Sequence, residues 1–277
     1  MSTGRLTICA TPIGNLGDIS ERLRNVLAGA DVVFAEDTRR TAKLLSHLVI
    51  GVNVISHFAG NEQSRTAEIV AAVESGRSVV VVSDAGMPTI SDPGAAAVRA
   101  VRKAGYPVTV VPGPSAVTTA VALSGFAGDR FVFEGFLPRK GKVRSQRLAA
   151  IGTESRAVVL FNSPNRLAED LADLADVCGA GREVAVMREL TKLHEESWVG
   201  PLFAAVERWK DPVKGEVTVV LAPVEEEPPS IDEAIGQARG LVAEGATVSD
   251  AARSTSAATG VSRRAIYEAL LDDHESS

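Results

Sequence analysis

Three loops carry residues whose types and spacing suit the capture of a small polar molecule. The first, Thr11-Pro12-Ile13-Gly14-Asn15-Leu16-Gly17-Asp18, lies between an apolar run and a helix-like segment, where free backbone N–H groups can receive an anionic or polar ligand group. It is neither a GxGxxG nor a Walker sequence, and alone it reads equally well as an ordinary strand-to-helix turn. The second, Ser83–Gly94, contains two Gly, two Pro and two Asp and is longer than such a turn needs. Its glycines allow close backbone approach to a ligand, and its prolines set the loop's shape beforehand. In the third, Val111-Pro112-Gly113-Pro114-Ser115-Ala116, two prolines flank a glycine and Ser115 is placed to cap a following helix.

Loops of this kind need strands to carry them. Apolar runs at Leu6–Ala10, Val32–Ala35, Val54–Ser56, Val79–Ser83 and Val108–Val111 read as strands. Segments with helical spacing alternate with them: Ile19–Ala28, Thr41–Leu48, Ser64–Glu74, Ala95–Lys103 and Ala116–Leu123. Asp92-Pro93 reads as the start signal of the fourth helix, with Pro in its first turn. This is the pattern of repeated βα units, whose loops leave a parallel sheet on one edge, so the three loops can meet over one crevice. The composition agrees, with 45% hydrophobic but only 4% aromatic residues, as buried parallel strands covered by helices require.

The turn-rich stretch Gly125–Asp129 predicts a boundary between an α/β domain over 1–124 and a second over 125–224. Strands are expected there at Phe131–Phe133, Val158–Phe161, Val184–Met187, Glu196–Val199 and Val217–Leu221, with helices at Arg166–Val177 and Leu202–Trp209. Glu225-Glu226-Glu227-Pro228-Pro229 reads as an acidic, Pro-broken linker. The tail, 230–277, predicts three short helices, Ile231–Glu244, Val248–Thr259 and Arg263–Leu271, either a helix-turn-helix-like module or a plain packing unit.

Six ordered blocks make the sequence recognisable: Ala10–Ile19, Ala35-Glu36-Asp37-Thr38-Arg39-Arg40-Thr41, Ser83–Gly94, Pro112–Ala116, Phe133-Glu134-Gly135-Phe136-Leu137-Pro138-Arg139-Lys140, and Arg188–Glu196. Together they closely resemble the tetrapyrrole-methylase superfamily, and more specifically its branch that methylates the ribose 2′-hydroxyl of a decoding-region cytidine in small-subunit (16S) ribosomal RNA. The resemblance implies two α/β domains of the class III methyltransferase type, S-adenosyl-L-methionine in the cleft between them, a small C-terminal helical module, and a homodimer. Carried over position by position, it places cofactor contacts at Pro12, Ile13 and Gly14, at Ala85, Gly86, Met87 and Ile90, and at Ser115 and Ala116. Second-domain contacts fall on Asn162 and Leu190.

The sequence also departs from that pattern. Thr-Pro-Ile-Gly-Asn replaces the Gly-x-Gly-Pro-Gly type loop of the tetrapyrrole-modifying branch, which argues against a corrin or sirohaem precursor as substrate. Met87 stands where the RNA branch often has Thr, and Phe161-Asn162-Ser163-Pro164-Asn165 replaces a common Tyr-Glu-Ser-Pro-His.

Methyl transfer to a ribose hydroxyl needs positioning, removal of a proton, and stabilisation of developing negative charge. Glu36 or Asp37 is the expected base or orienting group and Lys192 the charge stabiliser, although all three also read as salt-bridged framework. Arg139, Lys140, Lys142, Arg144 and Arg147 concentrate five positive charges on a chain of net charge −6, so RNA phosphate contact is expected at Arg139, Lys140, Lys142 and Arg144, with Arg39 and Arg40 nearby. Scattered histidines and two unpaired-looking cysteines, Cys9 and Cys178, suggest no metal and a reducing compartment. With no leader or membrane-length apolar run, a soluble cytoplasmic enzyme is expected, whose partner is small-subunit RNA or the assembled subunit. The competing readings are a tetrapyrrole methyltransferase of the same fold and a ligand-sensing regulator with a DNA-binding tail. The second would need a basic recognition helix, where Val261–Leu271 offers only Arg263-Arg264.

Overall fold

The computed structural model describes residues 4–126, 129–224 and 230–275. Two compact units divide after Val224. The expected linker at 225–229, and Ala127-Gly128 of the expected boundary turn, lie outside the described residues.

The first unit holds two five-stranded sheets. Strands β1 (Arg5–Cys9), β2 (Val32–Ala35), β3 (Val54–Ser56), β4 (Ser78–Val82) and β5 (Val108–Val111) form one sheet in the order β3-β2-β4-β1-β5, every pair parallel. Alternation along these strands sends side chains to two separate cores. Val80 and Val82 pack with Leu23 and Leu27 of α1 (Glu21–Ala28) and Leu44, Leu45 and Leu48 of α2 (Thr38–Leu48). On the opposite face Val79 and Val81 pack with Ile69 and Val73 of α3 (Glu62–Glu74) and Ala97 and Val101 of α4 (Ala95–Lys103). Burial of both faces explains why β4 reads as an unbroken run of valines.

The second sheet has strands β6 (Phe131–Phe136), β7 (Ala157–Asn162), β8 (Glu183–Arg188), β9 (Glu196–Pro201) and β10 (Val217–Leu221), in the order β6-β7-β10-β8-β9. Here only β6 and β7 are parallel, while β10 runs antiparallel to both β7 and β8, and β9 antiparallel to β8. One face is covered by α6 (Lys142–Gly152), α7 (Leu167–Cys178) and α8 (Leu202–Arg208), with Trp198 and Trp209 edge to face at 5.0 Å in the same core. The other face is covered by α5 (Ala116–Ser124), through Val117, Ala120 and Val121 against Val159, Ala185, Met187 and Val220. The helix that leaves the last strand of the first sheet therefore builds the core of the second.

Three local expectations need correction. α6 was not among the expected helices, because its buried face carries Arg144 beside Leu148 and Ile151 and so lacks an apolar stripe. Ser115 occupies the N-cap position of α5, but its side chain makes no capping hydrogen bond. α4 starts at Ala95 with Gly94 as N-cap at φ 127°, so Pro93 precedes the helix and does not sit in its first turn.

The second unit consists of α9 (Ile231–Ala243), α10 (Val248–Thr259) and α11 (Arg263–Glu275). They pack around Ala234, Ala238, Ala251, Ala252, Ile266 and Leu270. A capping box between Ser230 and Glu233 starts α9, and Thr247 caps α10. No described helix is long and apolar enough to cross a membrane.

Candidate active site

All three loops leave the carboxyl ends of β1, β4 and β5, and the chain stitches them together. Thr11 and Gly86 exchange backbone hydrogen bonds of 2.9 and 3.0 Å, forming an isolated antiparallel bridge between the first two loops. The Ser83 hydroxyl donates to Gly86 O at 3.2 Å, and Thr11 Oγ1 donates to Ser83 O at 3.3 Å. Gly86 has φ +81°, and a Cβ there would meet Ile13 Cγ2 at 3.4 Å and Pro114 O at 3.6 Å, so this one glycine brings the three loops together. Thr89 and Ser91 also hold positive φ, 76° and 66°, a strained backbone that only a firmly held loop keeps. Glu62 at the start of α3 fixes the loop's far end, its Oε1 accepting from Gly94 N at 3.0 Å.

The loops wall one side of a cavity of about 520 Å³, within the size range of small-molecule sites. Ile13, Ala85, Gly86, Met87, Ile90, Ser115, Ala116 and Asn162 all line it. The opposite wall comes from the second sheet and its loops: Phe136 and Phe161, Ser163 and Pro164 just after β7, and Gly215–Thr218, which leads into β10. Phe136 and Phe161 stack obliquely at 5.5 Å, with Phe136 58% exposed.

Four carboxyl groups line the same space: Glu36 after β2, Asp84 and Asp92 in the second loop, and Glu216 just before β10. Asp84 is committed, its Oδ1 accepting from Asp37 N at 2.8 Å and its Oδ2 lying 3.6 Å from Arg40 Nε. Burial, and then the Asp84 charge, push Glu36 above the ordinary carboxyl range. Burial, and then the Glu36 charge, push Asp92 up to about 7. Two part-buried carboxyls that repel one another resist ionising together, so one of them can hold a proton when the other is charged.

A family model of the tetrapyrrole (corrin/porphyrin) methylases matches residues 5–205. The chain belongs to this family. Relatives named "Ribosomal RNA small subunit methyltransferase I" extend the match over nearly the whole length. That of Mycobacterium bovis is 46% identical over 98% of this chain and 96% of its own, and that of Synechocystis sp. 41% over 97% and 98%. The Thermotoga maritima protein of the same name is 47% identical over 79% of this chain and 98% of its own. Among solved structures, diphthine synthase superposes with a TM-score of 0.62 at 18% identity, covering 79% of this chain and 89% of that one. Cobalt precorrin-4 methyltransferase gives 0.60 at 16%, covering 79% and 94%. At such identities these two establish the shared methylase fold and nothing finer.

The remaining expected site residues fall outside the cavity lining. Pro12 lines a smaller neighbouring hollow with Lys43 and Leu44. Gly14 packs against the Arg188–Lys192 turn so tightly that a Cβ would lie 2.3 Å from Lys192 Cγ. Leu190 is buried in the core beneath α5. Lys192 Nζ is held by Glu189 at 2.7 Å and Glu216 at 3.0 Å, and these two carboxylates, outweighing burial, raise its pKa. Asp37 is the N-cap of α2, accepting from Arg39 N at 2.8 Å and pairing with the Arg39 guanidinium, which lowers its pKa to about 2. A carboxylate so satisfied is a poor base, whereas Glu36, the other expected candidate, lines the cavity.

The basic stretch divides in the same way. Arg139, Lys140 and Lys142 are exposed, as are Arg39 and Arg40, and Arg40 also lines the cavity. Arg144 is buried and paired with Asp170 at 2.7 Å and with Asp173, while its Nη1 donates to Pro138 O at 3.0 Å. A guanidinium spent inside the fold cannot reach phosphate, so the RNA-contact expectation for Arg144 is withdrawn. Sequence reasoning missed Asp92, Phe136 and the Gly215–Thr218 segment. The two aspartates of the long loop were visible as a count, but nothing in the sequence placed β10 opposite them.

Proposed function

We propose that this chain methylates small-subunit ribosomal RNA, moving a methyl group from S-adenosyl-L-methionine to the ribose 2′-hydroxyl of a decoding-region cytidine. The observation that carries the reading is the end-to-end likeness to methyltransferases of small-subunit ribosomal RNA. The cavity fits such a cofactor in size and chemistry: backbone and small side chains at Ala85, Gly86 and Ala116 admit close contact.

When bound, the sulfonium supplies an electrophilic methyl group and a neutral thioether leaving group. The chain's own residues then have three tasks. The loops hold the reactants in line. The Glu36–Asp92 pair accepts the proton of the attacking hydroxyl. Exposed Arg139, Lys140 and Lys142, with Arg39 and Arg40, hold the RNA backbone, and Phe136 at the rim offers a face on which a base can stack. Lys192, tied to Glu216 of the cavity wall, supports that wall and offsets the negative charge of its carboxylate. The protein acts as a cytoplasmic homodimer in this reading.

A tetrapyrrole acceptor is the rival within the fold, and the three exposed cations that follow Phe136 in the sequence favour RNA over it. A DNA-binding tail finds little support, because Arg264 of α11 is paired with Glu268 at 2.7 Å. Nucleoside analysis of small-subunit RNA from cells lacking this protein tests the proposal. One ribose-methylated cytidine disappears and returns when the purified enzyme and cofactor are added to those subunits. Persistence of every ribose methylation would refute it.

A further inference from the structure

The parallel pairing of β6 with β7 shifts register once. Phe131, Val132 and Phe133 lie opposite Ala157, Val158 and Val159, whereas Gly135 and Phe136 lie opposite Leu160 and Phe161, so Glu134 is one residue too many for the ladder. Bulges are rare between parallel strands, and they re-aim the side chains that follow. Gly135, at φ +65°, supplies the left-handed backbone that the step requires.

The surplus residue decides which face Phe136 occupies. On β7, Val158 and Leu160 enter the core under α6, α7 and α8, while Val159 and Phe161 lie on the face covered by α5. In an unbroken strand Phe133 and Phe136, three residues apart, would sit on opposite faces. With the bulge both meet Phe161, at ring separations of 5.0 and 5.5 Å, and Leu137 turns into the opposite core. Of the three rings Phe136 is the exposed one, and it lines the cavity.

Two arginines of the basic stretch, three residues apart on α6, hold this segment at both ends. Arg144 Nη1 donates to Pro138 O at 3.0 Å. Arg147 Nη1 donates to Glu134 O at 3.1 Å and also to the Glu134 carboxylate. The main chain and side chain of the surplus residue are thus both tied to one guanidinium, a charge-assisted clamp that keeps the bulge in place.

We infer that Arg147 is a positioning residue for the acceptor RNA: by holding Glu134 in the β6 bulge it keeps Phe136 turned to the cavity, where the ring stacks on a base. The inference rests on the proposed RNA substrate and adds to it a residue that touches neither RNA nor cofactor.

Equilibrium binding of the full chain to small subunits from cells lacking this protein, with S-adenosylhomocysteine present, tests it. Phe136→Ala weakens binding by about tenfold, the loss of one stacked base. Arg147→Ala weakens it by about three- to tenfold, and F136A/R147A binds within about twofold of Phe136→Ala, because both changes remove the same contact. The salt dependence of binding keeps its slope in Arg147→Ala, whereas loss of a phosphate contact would lower it by about one. Calorimetry gives both single variants an S-adenosylhomocysteine affinity within about twofold of wild type, which also shows that the cavity is folded. In a chain lacking Glu134, Gly135 and Phe136 meet Leu160 and Phe161 with no surplus residue to hold. That chain binds subunits within about threefold of wild type, and Arg147→Ala then has no further effect. A lowered salt slope, losses that multiply in F136A/R147A, wild-type binding by either single variant, an equal loss of S-adenosylhomocysteine affinity, or an undiminished Arg147→Ala effect without Glu134 would each overturn the inference. Failure of the wild-type chain to bind small subunits would instead remove the proposed function, and the inference with it.

Discussion

Asp92→Asn is the perturbation that most directly probes the carboxyl pair in the cavity. Burial, and then the Glu36 charge, push the Asp92 carboxyl from its ordinary 3.8 up to about 7. The other charged groups lining that space are Asp84, Arg40 and Glu216, and Glu62 holds the loop's end. At about 1.4 kcal/mol per tenfold, the gap corresponds to about 4 kcal/mol, an upper bound because the side chain keeps some contact with solvent. A carboxyl raised by folding favours the folded state fully below its unfolded value, and that contribution is lost as pH climbs toward the folded value. The wild type therefore loses up to about 4 kcal/mol through this group between about pH 4 and about pH 8, whereas Asp92→Asn does not. Urea denaturation followed by fluorescence of Trp198 and Trp209, which pack together in the core of the first unit, reads the difference at each pH. The stability of the variant relative to wild type should grow steadily through that range. In Glu36→Gln the Asp92 titration moves down but stays above the ordinary range, since burial is the larger cause. Parallel curves for wild type and Asp92→Asn at every pH would refute the reasoning.

In steady-state methylation, Glu36→Gln lowers kcat by about a hundredfold or more, while Asp37→Asn, which keeps the α2 cap, leaves kcat near wild type. Replacing Arg139, Lys140 and Lys142 together by Ala weakens RNA binding and flattens its salt dependence by a slope of about two to three, with S-adenosylhomocysteine affinity intact in calorimetry. Gly86→Ala forces a side chain onto a backbone at φ +81° beside Ile13 and Pro114, and should cost about 1–3 kcal/mol in denaturation together with a loss of cofactor affinity.

The first sheet and its loops were legible because each βα unit is local. β2, β3, β5 and α4 stand where their apolar spacing put them, and three turns rich in Gly and Pro follow strands whose common direction makes them neighbours. α6 was not legible, since the residue that anchors its inner face is an arginine. The charges of the basic stretch looked alike in sequence, yet Arg144 differs from Lys142 only in meeting Asp170 and Asp173, which lie on a helix far along the chain. The Glu36-Asp37 pair separated for a similar reason: Asp37 begins α2 and spends its carboxylate on that helix, while its neighbour faces the cavity.

From the sequence alone came the class of fold, the three loops, the family resemblance and about half of the residues around the cavity, because these depend on periodicity, turn chemistry and contiguous motifs. Only the tertiary structure decided which charged groups are free to act. Burial, the approach of a like charge and the partners of a hydrogen bond arise between residues distant in sequence, and these raised the Asp92 carboxyl and made Arg144 a clamp.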